Sequence, residues 1–359
     1  MEHSSLLWSS LNILTKERYD AIRQVFGSLD EAAKHLNEEL LKGLGCRSET
    51  ILRVLNQAEE FDRALTEAEI RKKNVQFISM DDPAYPARLL EIPDPPVFLY
   101  ALGDLSILGQ PTIGIVGTRE MSRYGRRVAQ DFVPDFVRAG MVTVSGLALG
   151  IDSEVAEQTL KARGKTVAVL AHGLSRIYPQ GNRTLAEEII AGGGLLLSEF
   201  AIFQEPERYM FPARNRIIAG LSLATVVLEA PEGSGALITA ELALDYNRDV
   251  FLVPGPIFDA NYRGSNAFIA KGQGKLVQSA REVLEEMGVV VREAPAASAY
   301  VPQDKDETAL WTALTTMPQA VDDLVEKSGL SASAAGATLT MMELQGAVQN
   351  VGGGMWVRA

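Results

Sequence analysis

Between residues 112 and 254 the chain carries six short runs of branched apolar residues, with helical patterns between them. The runs are 112–116, 141–145, 166–171, 194–198, 224–229 and 250–254. They are rich in Val, Ile and Leu, and they lack the period-two alternation of a strand with one wet face. Such runs belong to strands buried on both faces of a parallel sheet. The intervening segments 122–138, 151–163, 182–191, 213–221 and 236–246 have helical spacing. Parallel neighbours need crossover connections, so the pattern predicts an α/β fold: an extended, Rossmann-like, doubly wound, mostly parallel sheet. Ligands of such sheets bind outside the carboxyl ends of the strands.

The flanks differ from this centre. The chain has 359 residues and a formal charge of −12. Residues 1–74 read as short helices, with Leu6, Leu7, Leu11 and Leu14 and then Tyr19, Ile22, Val25 and Phe26 at helical spacing. Ser28 is a candidate cap for a helix over 30–41. Gly43-Leu44-Gly45 before a helical pattern at 48–61 fits either a helix-hairpin-helix turn or a plain αα-hairpin in a small bundle. The α/β part is expected over 75–292. Residues 293–303, rich in Ala, Pro and Ser, read as a linker. Residues 304–359 predict three helices, at 308–314, 322–328 and 334–345, then a hairpin with Gly352-Gly353-Gly354 at its tip, which is winged-helix order.

Composition excludes several function classes. Cys46 is the single cysteine, so no disulfide framework or multi-cysteine metal site is expected. His3, His35 and His172 are the only histidines, and no zinc spacing occurs, so no metal is expected. The N-terminus is Ser-rich with acidic Glu2, unlike a signal peptide. No apolar run reaches the ~18 residues of a membrane span, so a cytoplasmic protein without membrane contact is expected.

Three strand-end loops concentrate the candidate chemistry. Gly117-Thr118-Arg119 follows the first run: a glycine admits close approach, a helix N-terminus follows, and Arg119 suits a phosphate. Ser145-Gly146-Leu147-Ala148 follows the second, before Gly150-Ile151-Asp152, where Asp152 reads as a helix cap ahead of a catalytic acid. Gly233-Ser234-Gly235 follows the fifth and forms a nest of backbone donors. Phe211-Pro212 with Arg214 and Asn215 adds charge, Pro212 suiting a first helical turn and Arg214 opposing the dipole there unless an anion binds. Phe211 reads equally as a stacking face or a core aromatic. His172 lacks an identifiable partner and reads as a loop or binding residue. No GxSxG elbow and no GxxxxGK[ST] loop occurs.

Taken in order, these segments resemble the DprA/Smf (DNA-processing protein A) family over about residues 80–280. The resemblance rests on Tyr85-Pro86, the run from Asp94 to Tyr100, Gly117-Thr118-Arg119, Ser145-Gly146, Gly150-Ile151-Asp152, Tyr178-Pro179, Ser198-Glu199, Phe211-Pro212, Arg214-Asn215-Arg216, Ser234-Gly235 with Thr239, and Val253-Pro254-Gly255. The flanks resemble its sterile-alpha-motif-like and winged-helix (DML1-like) domains. The resemblance implies a non-catalytic protein without cofactor that binds single-stranded DNA and protects it in natural transformation. It implies loading of RecA recombinase onto that DNA and a homodimer formed through the Rossmann-like domain. The implied DNA and phosphate site comprises Gly117, Thr118, Arg119, Ser145, Gly146, Phe211, Arg214, Asn215, Gly233, Ser234, Gly235 and Thr239. The stretch Ser153-Glu154-Val155-Ala156-Glu157 lacks the His that members often carry, and Gln180 replaces a common basic residue.

The alternative is a nucleotide-binding protein or nucleoside-monophosphate phosphoribohydrolase of the same superfamily. Aligning Gly233-Ser234-Gly235 on the loop of those enzymes puts Thr239 where their catalytic Glu stands, with Glu241 about 200° around the helix from it. A third reading, a protein-interaction adaptor, comes from the acidic C-terminal zone, with 3 basic and 7 acidic residues over 304–359.

Overall fold

Nine strands form one sheet in the order β1-β2-β6-β5-β4-β3-β7-β8-β9. Its parallel centre is β3 (Thr112–Gly117), β4 (Val142–Ser145), β5 (Thr166–Val169), β6 (Leu195–Ser198), β7 (Ala224–Glu229) and β8 (Asp249–Leu252), with the two-residue β9 (Lys275–Leu276) alongside β8. The winding starts at β3 and runs outward through β4, β5 and β6, then resumes on the other side of β3 at β7. The β3/β7 boundary is therefore the topological switch point, where a crevice opens. The computed structural model describes residues 2–289, 300–315 and 317–358.

Of the strands in this sheet, β1, β2 and β9 escaped the sequence reading. β1 (Gln76–Ser79) and β2 (Phe98–Gly103) pair antiparallel with each other, and β2 pairs antiparallel with β6. Alternation is present in β2: Phe98 and Tyr100 face one core, Leu99 and Ala101 the other.

The crossover helices are α7 (Arg123–Arg138), α8 (Ile151–Lys161), α9 (Arg183–Ala191), α10 (Met210–Leu221), α11 (Gly235–Asp245), α12 (Arg263–Ala270) and α13 (Ala280–Glu286), following the six N-terminal helices α1 to α6. Residues from α7, α8 and α13 share one apolar cluster, and residues from α10, α11 and α12 share another on the opposite sheet face. The N-terminal helices are α1 (Ser5–Leu11), α2 (Lys16–Phe26), α3 (Leu29–Lys34), α4 (Glu38–Gly43), α5 (Ser48–Glu60) and α6 (Arg63–Lys72). The single helix expected over 30–41 is two: Ser28 caps α3, but the Asn37 side chain accepts the Leu40 N–H (2.9 Å) and starts α4. Short polar side chains at such a position compete with helix continuation.

The boundary expected at residue 74 is a change of composition, not of packing. Trp8, Leu11, Ile22 and Leu41 belong to the same apolar cluster as Phe98, Tyr100 and Leu196 of the sheet. The Ser9 hydroxyl meets the Tyr100 hydroxyl at 2.9 Å inside that core. Cα packing divides the chain into two compact units only, 1–291 and 292–359. Residues 293–299 of the expected linker lie outside the described residues.

The second unit holds α14 (Lys305–Ala313), α15 (Val321–Ser328) and α16 (Ala332–Leu344), with a small sheet of β10 (Gln319–Ala320), β12 (Met355–Arg358) and β11 (Val348–Asn350). Ser331 caps α16 through the Ala334 N–H (3.2 Å). Among the described residues no helix is long and apolar enough to cross a membrane.

Candidate nucleic-acid interface

A cleft of about 520 Å³ opens at the switch point, lined by Gly117, Arg119, Phe211, Arg214, Asn215, Ser234, Gly235 and Thr239 among others. The three loops singled out from the sequence converge there, because β3, β4 and β7 are adjacent and parallel.

The Arg119 loop is held from beneath. The Thr118 N–H donates to the Glu229 carbonyl (2.8 Å), and the Ser122 N–H donates to both Glu229 carboxylate oxygens (3.3 and 3.1 Å). Asn261 Nδ2 donates to the same carboxylate (2.8 Å). Glu229 is fully buried at the end of β7. A Cβ on Gly125 would sit 1.7 Å from Glu229 Oε2, so only glycine fits opposite that carboxylate. The β3 and β4 loops also interlock: the Ile151 N–H donates to the Thr118 carbonyl (3.1 Å), and Gly150, at φ +81°, packs against the Thr118 and Arg119 carbonyls. Arg119 itself is exposed. Its guanidinium lies 4.8 Å from the centroid of the Phe211 ring, a cation–π stack.

Arg214 departs from expectation. The helix α10 begins at Met210, three residues earlier than the periodicity suggested, so Arg214 stands in its second turn. It is 4 % exposed. Its Nη1 donates to the Gly146 carbonyl (2.8 Å) and to the Val169 carbonyl, and its Nε donates to Asn215 Oδ1 (3.2 Å). A Cβ on Gly146 would meet this guanidinium at 2.5 Å. Arg214 is thus an interior brace behind the cleft wall. Burial pulls its pKa down to about 10, with Asp152 pulling the other way, and it stays charged at neutral pH. Burial pushes the Asp152 carboxyl upward, and Arg214 opposes that shift.

Among the described residues, Asp152 is the one carboxylate lining the cleft. It does not cap a helix starting after it, because α8 starts at Ile151. Its Oδ2 accepts the Gly146 and Ala148 N–H groups (3.1 and 3.4 Å), fixing the β4 loop. Ser145 is buried beneath this loop. Asn215 Nδ2 donates to the Gly235 carbonyl (3.2 Å) and ties α10 to the start of α11. Ser234 caps α11, Gly235 opens it, and Gly233 at φ +74° makes the preceding turn. The exposed start of α11 presents N–H groups without intrahelical acceptors. Thr239 is buried in the cleft wall.

The site holds residues that were not among the expected contacts. Tyr178 is 50 % exposed and meets Phe211 edge-on, centroids 6.2 Å apart. His172 Nε2 accepts the Tyr178 N–H (3.2 Å), while Nδ1 lies 2.9 Å from the Gly173 carbonyl, so the ring is a neutral support for Tyr178. Burial holds its pKa below the usual histidine value. Arg208 lines the cleft and is exposed. The Tyr178-Pro179 pair was a sequence signal for Tyr178; Glu229 had none, since its role depends on three loops meeting. Ser153, the first residue of the stretch 153–157 that lacks the family's histidine, donates to the Ala148 carbonyl (2.6 Å) and accepts from Asn182 Nδ2 (2.9 Å). Arg216 of the motif forms a paired contact with Glu199 (3.0 and 2.6 Å) and belongs to the interior.

The sequence matches the family model for DNA recombination-mediator protein A over residues 76–288, and that for the DprA winged helix domain over 294–354. The Smf protein of Synechocystis is 40 % identical over 289 residues, covering 79 % of this chain and 72 % of its own. The DNA processing protein DprA of Streptococcus pneumoniae is 38 % identical over 261 residues, covering 71 % of this chain and 90 % of its own. The X-ray structure of that protein superposes with a TM-score of 0.67 at 34 % identity, covering 78 % of this chain and 95 % of that one. The DNA processing protein A of Helicobacter pylori, described for its single-stranded DNA binding mode, superposes with a TM-score of 0.54 at 30 % identity over 59 % of this chain and 95 % of that one. With the switch-point cleft in place and more than half the sequence matched, the chain belongs to the DNA recombination-mediator protein A family, the DprA/Smf proteins.

Proposed function

We propose that this chain binds single-stranded DNA at the switch-point cleft and does no covalent chemistry there. The observation that carries the reading is Arg119, exposed, stacked on Phe211 and free of any ion pair among the described residues. A guanidinium so placed offers donors to a phosphate while the ring behind it offers a face to a base. Tyr178 and the α11 N-terminus extend both kinds of contact. None of these groups reads base edges, which suits sequence-independent binding. The Helicobacter relative's single-strand binding mode supports the same assignment. Asp152 Oδ2 accepts two loop amides and the carboxylate is buried close to Arg214, which supports a loop-fixing rather than a bond-cleaving role.

In the cell the reading places the protein in the cytoplasm, where it holds incoming strands during transformation and passes them to a RecA-type recombinase. It acts there as a homodimer through the sheet unit.

Fluorescence anisotropy with a labelled single strand tests the first step. Wild type binds tightly, with affinity falling as salt rises. Arg119→Ala loses that binding, and duplex DNA or AMP competes poorly. Salt-insensitive binding, or hydrolysis of AMP, overturns the reading in favour of the nucleotide enzyme.

A further inference from the structure

Beside the Arg119 loop, the N-termini of α7 and α12 lie together. The Tyr124 ring packs edge-on against the buried Tyr262 ring, centroids 5.5 Å apart. That contact gathers Arg123 and Arg263, each the first residue of its helix. Both are exposed, and neither has an ion pair among the described residues. A cation in a first turn opposes the helix dipole, so helix stability gives no reason for either arginine.

Aromatic surface accompanies the charge. Tyr124 is half-exposed; in the loop leading to Tyr262, Ile257 is 75 % and Phe258 91 % exposed. The loop is braced. The Asp259 N–H donates to the Pro256 carbonyl (3.0 Å), and the Asn266 side chain bonds both the N–H and the carbonyl of Gly255 (3.3 and 3.0 Å). Asn261 reaches the Glu229 carboxylate, which also holds the Ser122 N–H. One buried carboxylate therefore anchors the Phe258 loop and the Arg119 loop together. The nearby Asp259 side chain turns inward to the Asn261 N–H (2.9 Å), and Glu120 is exposed at the rim.

We propose that Arg123, Tyr124, Phe258 and Arg263 form an outer segment of the single-strand track, contiguous with the Arg119 cleft. The arginines take two further phosphates, and Tyr124 and Phe258 stack one or two bases. This rests on the cleft being a single-strand site. An exposed Phe also suits a second copy of the chain, but a twofold contact through this patch would set unpaired arginines against each other.

The test uses the full chain and labelled oligothymidylates of about 4 and about 16 nucleotides, spanning the usual footprints of single-strand grooves. Arg123→Ala with Arg263→Ala weakens binding of the long strand about tenfold and lowers its salt slope by about 1.4, the share of two phosphates. Binding of the short strand is unchanged. Phe258→Ala weakens the long strand by about tenfold as well. Arg123→Lys with Arg263→Lys keeps the charge and restores the salt slope, which separates charge loss from misfolding. An unchanged ratio of long to short affinity in these variants overturns the proposal. So does a Phe258→Ala variant that dissociates a dimer in sedimentation velocity while binding both strands normally. Arg119→Ala is the control: normal binding of both lengths there means that the cleft reading itself has failed.

Discussion

The edge of the large sheet and the helix α16 of the C-terminal unit are both candidate nucleic-acid surfaces by fold, and they differ in chemistry. At the sheet edge, Arg119, Arg123, Arg208 and Arg263 are exposed beside Tyr124, Tyr178, Phe211 and Phe258. In α16, Ala332–Leu344, there is no lysine or arginine, and Met341 and Leu344 are exposed instead. A helix that enters a DNA groove meets phosphates on both sides and normally carries cations. The lesson is that net charge does not locate a site. A chain at −12 still places four exposed arginines at the carboxyl ends of its strands, while α16 of its winged-helix unit carries no cation at all.

The contrast within the sheet edge, between arginines that brace and arginines that bind, is where the largest effects are expected. Arg214→Ala leaves buried Asp152 without its cation and two carbonyls without a donor, and destabilises the fold by about 3–5 kcal/mol. Urea unfolding measures this, and a loss below about 1 kcal/mol means that Arg214 is not a brace. Arg119→Ala leaves stability within ~0.5 kcal/mol and weakens single-strand binding by about 2–3 kcal/mol, roughly 30- to 150-fold. If both substitutions act alike on stability and binding, the distinction fails. Phe211→Ala follows at about 1–3 kcal/mol of binding, read by the same anisotropy titration.

Smaller effects sharpen the comparison. Burial lowers the His172 pKa in the folded state, so the unfolded chain takes up a proton first as pH falls. Stability from this group is full above its ordinary value of about 6.5 and declines below it. His172→Gln flattens that part of the stability-versus-pH curve, and a curve of unchanged slope refutes the assignment. Last, charge reversal of Asp322 and Asp323 in α15 changes single-strand affinity less than twofold, because the residues that line the cleft all come from 116–239. A larger change transfers part of the site to that unit.

Much of the architecture was legible because it rests on local pattern. Unbroken apolar runs marked the central strands within a few residues of their ends, and glycines at strand ends marked all three cleft loops. What stayed hidden depended on neighbours distant in sequence. β2 exists because β6 offers it an edge, and β1 because β2 then offers the next. Residues 1–74 join the sheet's core because Trp8 and Leu11 pack in one cluster with Phe98 and Tyr100.

Local sequence carried the alternation of buried strands and crossover helices, hence a doubly wound sheet with glycine-marked loops at its strand ends; the strand order and the switch point came with the fold. Periodicity and turn chemistry are properties of short segments, and they survive without a fold. What each charged residue does depends on packing. Arg119 and Arg214 are the same residue type in one set of motifs, but one reaches solvent over Phe211 and the other is walled in by the Gly146 and Val169 carbonyls. Burial and partner are set by the packing of β4, β5 and α10 together, and no window of sequence contains all three.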